Sequence, residues 1–324
     1  MTMRLNEEID NIWAQNKSDF NRRLNNWAKA LNCGQDVSML AKEKFHQWKP
    51  LKTYISVSKS SSASQAKYSM RFYGQEVANL IVKNKDVLLR LRGHARKNEH
   101  WFGIGTKDGD YPWRSEVAKD FRVNFKEFAN KQKGFPKVKS PEHRVEMKFI
   151  SEMRKGAGKF NIPGLQIQPV MIADKFPLQV PIPISANTGK PKAGNGYIDI
   201  LARRKAEDNK VRLSVWELKK PEEYKHAAFQ AYIYAYTLLC ILRQSDSKKE
   251  WYGLFGFQSE IPSSLTIEAV VAITKDQSER FLKERNWLIN SVPFDIKNDH
   301  IKLYVAYYRE GQDSIRLEED PFQE

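Results

Sequence analysis

The sequence predicts a mixed α/β protein built from two domains, and three observations support this prediction. Residues 141–273 show apolar patterns in the order helix, three strands, helix and strand. Residues 1–135 combine helical spacing with short strand-like runs. The basic stretch "NKQKGFPKVKSP" lies between them, and its last two residues form a helix start. We therefore divide the chain into a basic N-terminal domain, residues 1–135, and a second domain, residues 136–324.

The N-terminal domain is predicted to contain helices followed by an antiparallel meander. Helical spacing of apolar residues from position 3 to about 33 indicates one broken or two short helices, which stop at "NCG". A strand-like "TYISVS" and a polar, loop-like "KSSSASQAK" follow. The runs "KYSMRFYG", "EVANLIVKN" and "DVLLRLRG" are separated by turn signals, which is typical of a meander. The stretch 99–112, rich in Gly and aromatic residues, predicts a loop or irregular strand, and residues 113–130 predict a helix.

The second domain is predicted to alternate helices and strands. The expected elements are a helix at 141–155, a strand near 165–172, a long Pro- and Gly-rich loop to 196, strands at 197–204 and 211–219, a helix at 222–243, a strand at 266–273, a helix at 276–290 and a strand at 301–308. A helix that links two strands of one sheet returns across its face, so the helix at 222–243 is expected to cover the sheet.

The net charge of +15 is concentrated in the first part of the chain. Residues 1–140 hold 27 Lys and Arg against 14 Asp and Glu, whereas residues 141–324 hold 27 against 25. Such a basic region favours a polyanionic partner, nucleic acid above all, although solvated surface charge is the competing interpretation. Candidate contacts to a DNA backbone, which could equally be charges on an exposed strand face, are Lys67, Arg71, Arg90 and Arg92.

Several classes of protein are disfavoured by the sequence. Cys33 and Cys240 are the only cysteines, so a disulfide framework and a four-cysteine zinc or iron–sulfur site are excluded. The N-terminal "MTMRLNEEIDNIW" lacks the apolar centre of a signal peptide, and no stretch approaches the roughly 18 apolar residues of a membrane span. We expect a soluble, cytoplasmic protein. It has no Walker-type loop, so any motor would be a separate helicase or ATPase partner.

The stretch "VRLSVWELKKP", residues 211–221, places charges in an apolar strand. Side chains alternate along a strand, so Glu217 and Lys219 project from the face opposite Trp216. In the preceding strand, "GNGYIDILARR", Asp199 is likewise a carboxylate among apolar residues. Two carboxylates in a poorly solvated cleft repel each other, and Mg²⁺ would relieve that repulsion. Lys219 would then orient the nucleophile or offset charge on a phosphate, while Lys220 is predicted as a solvated or phosphate-contacting neighbour.

The order Glu146, Asp199 and "ELK" at 217–219 resembles the PD-(D/E)xK nuclease superfamily, across roughly residues 141–273. The resemblance implies a restriction-endonuclease-like αβββαβ core, made of a helix, a three-stranded antiparallel meander, a helix and a further strand. It also implies hydrolysis of phosphodiester bonds in DNA with Mg²⁺ or Mn²⁺ as the cofactor. An E-x-K triplet alone is a weak signal, because alternating charge on an exposed strand face is ordinary. The order of all the elements together is more specific.

The resemblance assigns roles residue by residue. It implies that Asp199 and Glu217 bind the metal, with the backbone carbonyl of Leu218 as an additional ligand. It implies that Lys219 is the catalytic base or its electrostatic partner. Ile198 stands where the family's motif has proline, a departure that is common among its members.

Two residues of the next helix extend the resemblance. Gln230 and Tyr234 are four positions apart and therefore lie on one helical face. They resemble the QxxxY element of the RecB-like branch, where it supports the active site and contacts DNA. The competing interpretation is a polar edge on an aromatic core helix, "AAFQAYIYAYTLL".

The first helix of the second domain supplies a candidate third acid. The family often places a metal-proximal Glu on this helix, and we choose Glu146 because it lies near the edge of the apolar stripe. Glu142 and Glu152 are competing choices. His143 is a candidate additional ligand that would favour Mn²⁺, although a solvated helix start is the competing interpretation.

We therefore expect a metal-dependent DNA nuclease that acts through metal-activated water. Restriction or phage defence and DNA repair are the biological settings in which such a core is used. The alternative is a catalytically silent, nuclease-like DNA-binding protein. DNA, taken as double-stranded, is the expected partner, and a homodimer is left open.

Overall fold

The computed structural model describes residues 5–43, 51–57, 65–72, 75–83, 85–91, 108–131, 141–156, 158–219, 226–274, 278–311 and 314–323. The protein is mixed α/β, as predicted. In this part of the chain the helices are α1 (Leu5–Leu31), α2 (Gly34–Lys42), α3 (Glu116–Lys131), α4 (Pro141–Met153), α5 (Ala227–Gln244), α6 (Lys248–Leu254) and α7 (Ser278–Ser291). The strands are β1 (Leu51–Val57), β2 (Ala66–Phe72), β3 (Gln75–Lys83), β4 (Asp86–Leu91), β5 (Gly109–Pro112), β6 (Ile167–Pro169), β7 (Met171–Ile172), β8 (Phe176–Pro177), β9 (Pro181–Ser185), β10 (Lys192–Tyr197), β11 (Ile200–Lys205), β12 (Val211–Leu218), β13 (Thr266–Ile273), β14 (Asp295–Ile296), β15 (Asp299–Glu310) and β16 (Ile315–Leu317).

The chain divides into two contact units. The seven-stranded unit comprises Met1–Lys29, Lys148–Val170 and Leu178–Glu324, and the five-stranded unit comprises Ala30–Met147 and Met171–Pro177. This composition differs from the sequence-based boundary at residue 135, because the first helix belongs with the C-terminal sheet. What the N-terminal domain does stays a prediction.

The five-stranded unit contains the predicted meander. Strands β1 to β5 pair in sequence order, each antiparallel to the next. Alternate side chains such as Ile55, Met70, Leu80 and Leu89 are fully buried, which explains why these apolar runs form strands. Part of the stretch predicted as a loop or irregular strand is a regular strand, because β5 pairs with β4.

The seven-stranded unit is built on a mixed sheet with the strand order β14-β15-β13-β12-β11-β6, and β16 extends it beside β15. Strand β11 is antiparallel to both of its neighbours, β6 and β12, whereas β12, β13 and β15 run parallel. Helix α5 connects β12 to β13 and packs on both strands. The helix is apolar around most of its circumference, and it is accordingly buried on nearly all sides.

Helix α1 is one continuous helix of 27 residues, so the expectation of a broken helix is wrong. Most of its apolar positions are buried, and most of the polar residues between them are exposed or half-buried. Two hydrogen bonds connect it to α5: Tyr232 Oη donates to Asn6 Oδ1 at 2.7 Å, and Tyr236 Oη donates to Asp10 Oδ2 at 2.9 Å. These bonds explain why the helix belongs to the seven-stranded unit.

The predicted long loop up to residue 196 contains an antiparallel hairpin formed by β9 and β10. The expectation of a loop was wrong here. Pro181 and Pro183 suggested irregular structure, but proline is compatible with an edge strand. The strand expected near 165–172 is divided into β6 and β7. Helix α6 and strands β14 and β16 were not predicted from the sequence. None of the helices in the described part of the chain is long and apolar enough to cross a bilayer.

Candidate active site at the end of the β11–β12 hairpin

Asp199 and Glu217 lie at the same end of the hairpin. Glu217 is the second-last residue of β12, and Asp199 occupies a bend immediately before β11 rather than a strand position. The register pairs Ile200 with Trp216, which brings the residues on either side of that pair together. The backbone N–H of Leu218 donates to Asp199 Oδ2 at 2.9 Å, and this bond fixes one oxygen of the carboxylate.

Lys219 forms an ion pair with Glu217 on the same face, as the alternation of side chains predicts. The distance between Lys219 Nζ and Glu217 Oε1 is 2.7 Å, and the two side chains are 11% and 1% exposed. The backbone of Lys219 is held on both sides: its N–H donates to the carbonyl of Ala272 at 3.0 Å, and Tyr308 Oη donates to its carbonyl at 3.2 Å. The ammonium group therefore projects from a fixed backbone.

Gln230 and Tyr234 of α5 extend this cluster. Gln230 Nε2 donates to Tyr234 Oη at 3.3 Å, so the pair predicted to share a helical face is in contact. Burial is the main cause that raises the pKa of Tyr234 to about 12, and the negative charges of Glu217 and Asp199 raise it further. Both carboxylates are thus close enough to act on the phenol. The structure brings together five of the predicted site residues.

Asn187 is a neighbour of the site that the sequence analysis missed. Tyr234 Oη donates to Asn187 Oδ1 at 3.4 Å, from the turn between β9 and β10. The turn itself is packed against the start of α5, because a Cβ atom at Gly189 would lie 2.4 Å from His226 Nδ1. Gly189 also has φ +74°, a backbone conformation that favours glycine. The only sequence signal was the turn-like "ANTGKP", which did not indicate proximity to the site.

Glu146 and His143 have contacts within the five-stranded unit. Glu146 is buried, and its Oε2 lies 3.2 Å from His143 Nδ1 and 3.5 Å from a guanidinium nitrogen of Arg71. Of the competing acids, Glu152 pairs with Lys155, and the side chain of Glu142 lies outside the described residues. Within the described ranges, no group of three or more His, Cys, Asp or Glu side chains could hold a metal ion.

The predicted DNA-contacting residues have intramolecular partners where they are described. Lys67 Nζ lies 2.9 Å from Glu76 Oε2, and Arg90 donates two hydrogen bonds of 2.7 Å to Asp110. Arg71 is buried, with its guanidinium carbon 4.4 Å from the ring centre of Tyr54. Arg92 and Lys220 lie outside the described residues. The DNA contacts of all five residues stay predictions.

The chemistry of the cluster suits a hard divalent cation. Asp199 and Glu217 offer carboxylate oxygens, and Mg²⁺ typically takes one or two carboxylates and completes its shell with water and phosphate. The formal charges of the Asp199, Glu217 and Lys219 side chains sum to one negative charge. The two carboxylates therefore fit Mg²⁺ or Mn²⁺, and the part of Glu146 and His143 in binding the metal stays a prediction.

Comparisons of the chain with protein-family models, with curated proteins and with solved structures gave no match.

Proposed function

We propose that the chain is a metal-dependent nuclease in which Asp199, Glu217 and Lys219 carry the reaction. One observation supports this proposal above the others. The two carboxylates and the ammonium group meet at one end of the β11–β12 hairpin, where both carboxylates also act on Tyr234. A concentration of titratable groups with a perturbed phenol is characteristic of functional sites.

The order of elements supports a restriction-endonuclease-like core. Helix α4 is followed by the antiparallel strands β6, β11 and β12, then by helix α5 and the parallel strand β13. This is the αβββαβ order that the PD-(D/E)xK resemblance implies. The β9–β10 hairpin is an insertion between the first and second strands of that order.

The chain's own residues have distinct tasks in this proposal. Asp199 and Glu217 would hold Mg²⁺ or Mn²⁺, and the N–H of Leu218 orients the Asp199 carboxylate. The bound ion would supply a water molecule activated for attack and would offset charge on the phosphate. Lys219, fixed by its backbone, would donate from Nζ to a phosphate oxygen or orient the attacking water. Gln230 would support the ring of Tyr234 beside the carboxylates.

Charge supports a polyanionic substrate, and we propose DNA. In addition to the net charge of +15, the seven-stranded unit has a cavity of about 360 Å³ lined by three cations, Lys159, Arg203 and Lys205. The described residues that line this cavity include no acid. Arg203 of β11 lies four positions after Asp199, about 13 Å at the rise of a strand. A phosphate backbone that leaves the site could be held there.

The burial of Glu217 supports one alternative function. Glu217 is 1% exposed, and a buried ion pair with Lys219 could serve only to hold the strand end. The protein would then be a nuclease-like domain that binds DNA without cutting it.

The test is cleavage of linear, circular and single-stranded DNA by the purified chain in Mg²⁺, in Mn²⁺ and in EDTA. We expect cleavage that requires the metal. Glu217→Gln and Lys219→Met keep the side-chain shapes, and each should lower the cleavage rate by at least about 100-fold, since groups that only support a metal site already account for 10- to 100-fold.

Matched controls are available in the turn of the same hairpin. Glu207 and Lys210 are exposed there, and Glu207→Gln and Lys210→Met should cut at the wild-type rate. Undiminished cutting by Glu217→Gln and Lys219→Met would reject the assignment. DNA binding without cleavage in any metal would favour the silent alternative.

A further inference from the structure

Trp287 of α7 is a large aromatic side chain that is unusually exposed. It is 52% exposed, whereas most large apolar residues of the described chain are buried. Its ring centre lies 5.3 Å from that of Phe229 on α5, at an interplanar angle of 40°. Phe229 therefore supports one side of the indole while the rest of the ring faces solvent. Isolated exposed apolar residues are ordinary, but a ring held in place by a second ring is a preformed contact surface.

This aromatic pair is held next to the candidate active site. Phe229 directly precedes Gln230, which is bonded to Tyr234. The ring of His226 lies 6.4 Å from that of Phe229, and the backbone N–H of His226 donates to Glu284 Oε2 at 2.9 Å. Because this bond joins α7 to the start of α5, the indole is fixed relative to the helix that contributes to the site.

The neighbouring charge indicates what the ring would bind. Lys283 is exposed and lies four positions before Trp287, on the same face of α7. The acid between them, Glu284, is engaged by His226. An exposed aromatic face with a cation one helical turn away matches a nucleotide, whose base stacks on the ring and whose phosphate meets the ammonium group. A base inside a duplex already has both faces covered, so only an unpaired base can use this surface.

We propose that Trp287, supported by Phe229, stacks against an unpaired base of a single-stranded nucleic acid, and that Lys283 contacts an adjacent phosphate. The consequence for cleavage rests on the proposed nuclease function: single strands, or the frayed ends of duplexes, are then the substrates presented to Asp199 and Glu217. The binding itself does not depend on cleavage.

Binding is measured in EDTA with the Glu217→Gln chain, so that the probe stays intact. The probe is a labelled oligothymidine of about 12 nucleotides, within the range of known single-strand sites. Trp287→Ala in this background should weaken binding by about 5- to 150-fold, the effect of losing one stacked base. Trp287→Phe keeps an aromatic face and should retain most of the affinity. Ile289→Ala removes another exposed apolar residue from a different face of the same helix and should change nothing.

A second probe separates stacking from charge. An abasic oligonucleotide of equal length offers phosphates without bases, and it should bind the Trp287→Ala chain and its parent equally. The inference would be overturned if the Ala and Phe variants bound oligothymidine equally. It would also be overturned if Trp287→Ala weakened binding of the abasic probe, or of a hairpin-closed duplex, as much as it weakened binding of oligothymidine. A folding defect in the Ala variant would weaken binding of the abasic probe as well, so it cannot imitate the expected pattern.

The two proposals fail separately. If oligothymidine binding depends on Trp287 but no DNA is cut in Mg²⁺ or Mn²⁺, the nuclease proposal fails and the base-stacking surface stands. If DNA is cut but oligothymidine binding does not depend on Trp287, the proposed base-stacking surface fails and the nuclease proposal stands.

Discussion

Two buried acids on adjacent strands of the same sheet have opposite surroundings. Glu268 of β13 is fully buried and accepts hydrogen bonds from Arg204 Nε at 3.1 and 3.0 Å and from the hydroxyl of Ser214. A second guanidinium, that of Arg212, lies 3.8 Å away. One carboxylate is thus enclosed by two cations. Glu217 of β12, by contrast, is paired with the ammonium group of Lys219 and lies at the same strand end as a second carboxylate, that of Asp199.

The difference shows that burial alone does not identify a functional acid. The cluster around Glu268 is closed, because two guanidinium groups and a hydroxyl surround the carboxylate and the ring of Phe322 covers the guanidinium of Arg204, with 4.0 Å between the guanidinium carbon and the ring centre. At Glu217 a second carboxylate, that of Asp199, lies at the same end of the hairpin, and a divalent cation would relieve the repulsion between the two. The pairing of two carboxylates, rather than burial itself, distinguishes the candidate metal site from a structural ion pair.

The largest expected effect is on stability, from Glu268→Gln. The change removes the carboxylate that accepts from both Nε and Nη2 of the buried Arg204, and breaking a buried ion pair in this way typically costs about 3–5 kcal/mol. Urea unfolding followed by circular dichroism measures the loss. Glu217→Gln serves as the comparison, and we expect its loss to be much smaller because it removes one of two carboxylates that repel each other at the same strand end. Similar losses for both variants would contradict the distinction between the two acids.

A smaller effect is expected on the titration of Tyr234. Because its pKa is raised from 10 to about 12, the stability it contributes is present below pH 10 and is lost as the pH rises from 10 to about 12. Glu217→Gln removes one of the two negative charges that raise this pKa, so the pKa should fall. It should stay above 10, because burial is the largest cause.

Phenolate absorbance measures this pKa, with Tyr234→Phe in each background identifying the contribution of Tyr234. Glu268→Gln is the control and should leave the Tyr234 pKa unchanged, since Glu268 is not among the groups that shift it. An unchanged pKa in Glu217→Gln would mean that the Glu217 carboxylate does not act on the phenol.

The regular elements were accessible from the sequence because their apolar patterns are strong. Strand β13 has the predicted bounds, and α5, β12 and the meander strands agree within a few residues. The β9–β10 hairpin was not, because its pairing partner is determined by tertiary structure and its prolines resemble a loop. The continuity of α1 was also missed, since its contacts, such as those to α5, join residues far apart in the sequence.

The residues of the candidate site also divide into those that the sequence could place and those that it could not. Glu217 and Lys219 could be placed on one face by alternation alone, and Gln230 and Tyr234 by helical spacing. Asn187 could not be predicted, because a turn contributes to a site only through the position of its hairpin. The pairing of Glu146 with Arg71 was equally inaccessible, as it joins residues 75 positions apart in the sequence.

Binding of Mn²⁺ in the absence of DNA tests the central claim most directly, since it requires the two carboxylates and no turnover. Electron paramagnetic resonance of the wild-type chain should show bound Mn²⁺, with affinity lowered by at least about 10-fold in Asp199→Asn and in Glu217→Gln. Glu207→Gln should bind as the wild type does. Absence of binding by the wild-type chain, or equal binding by all four proteins, would contradict the assignment of this end of the sheet as a metal site.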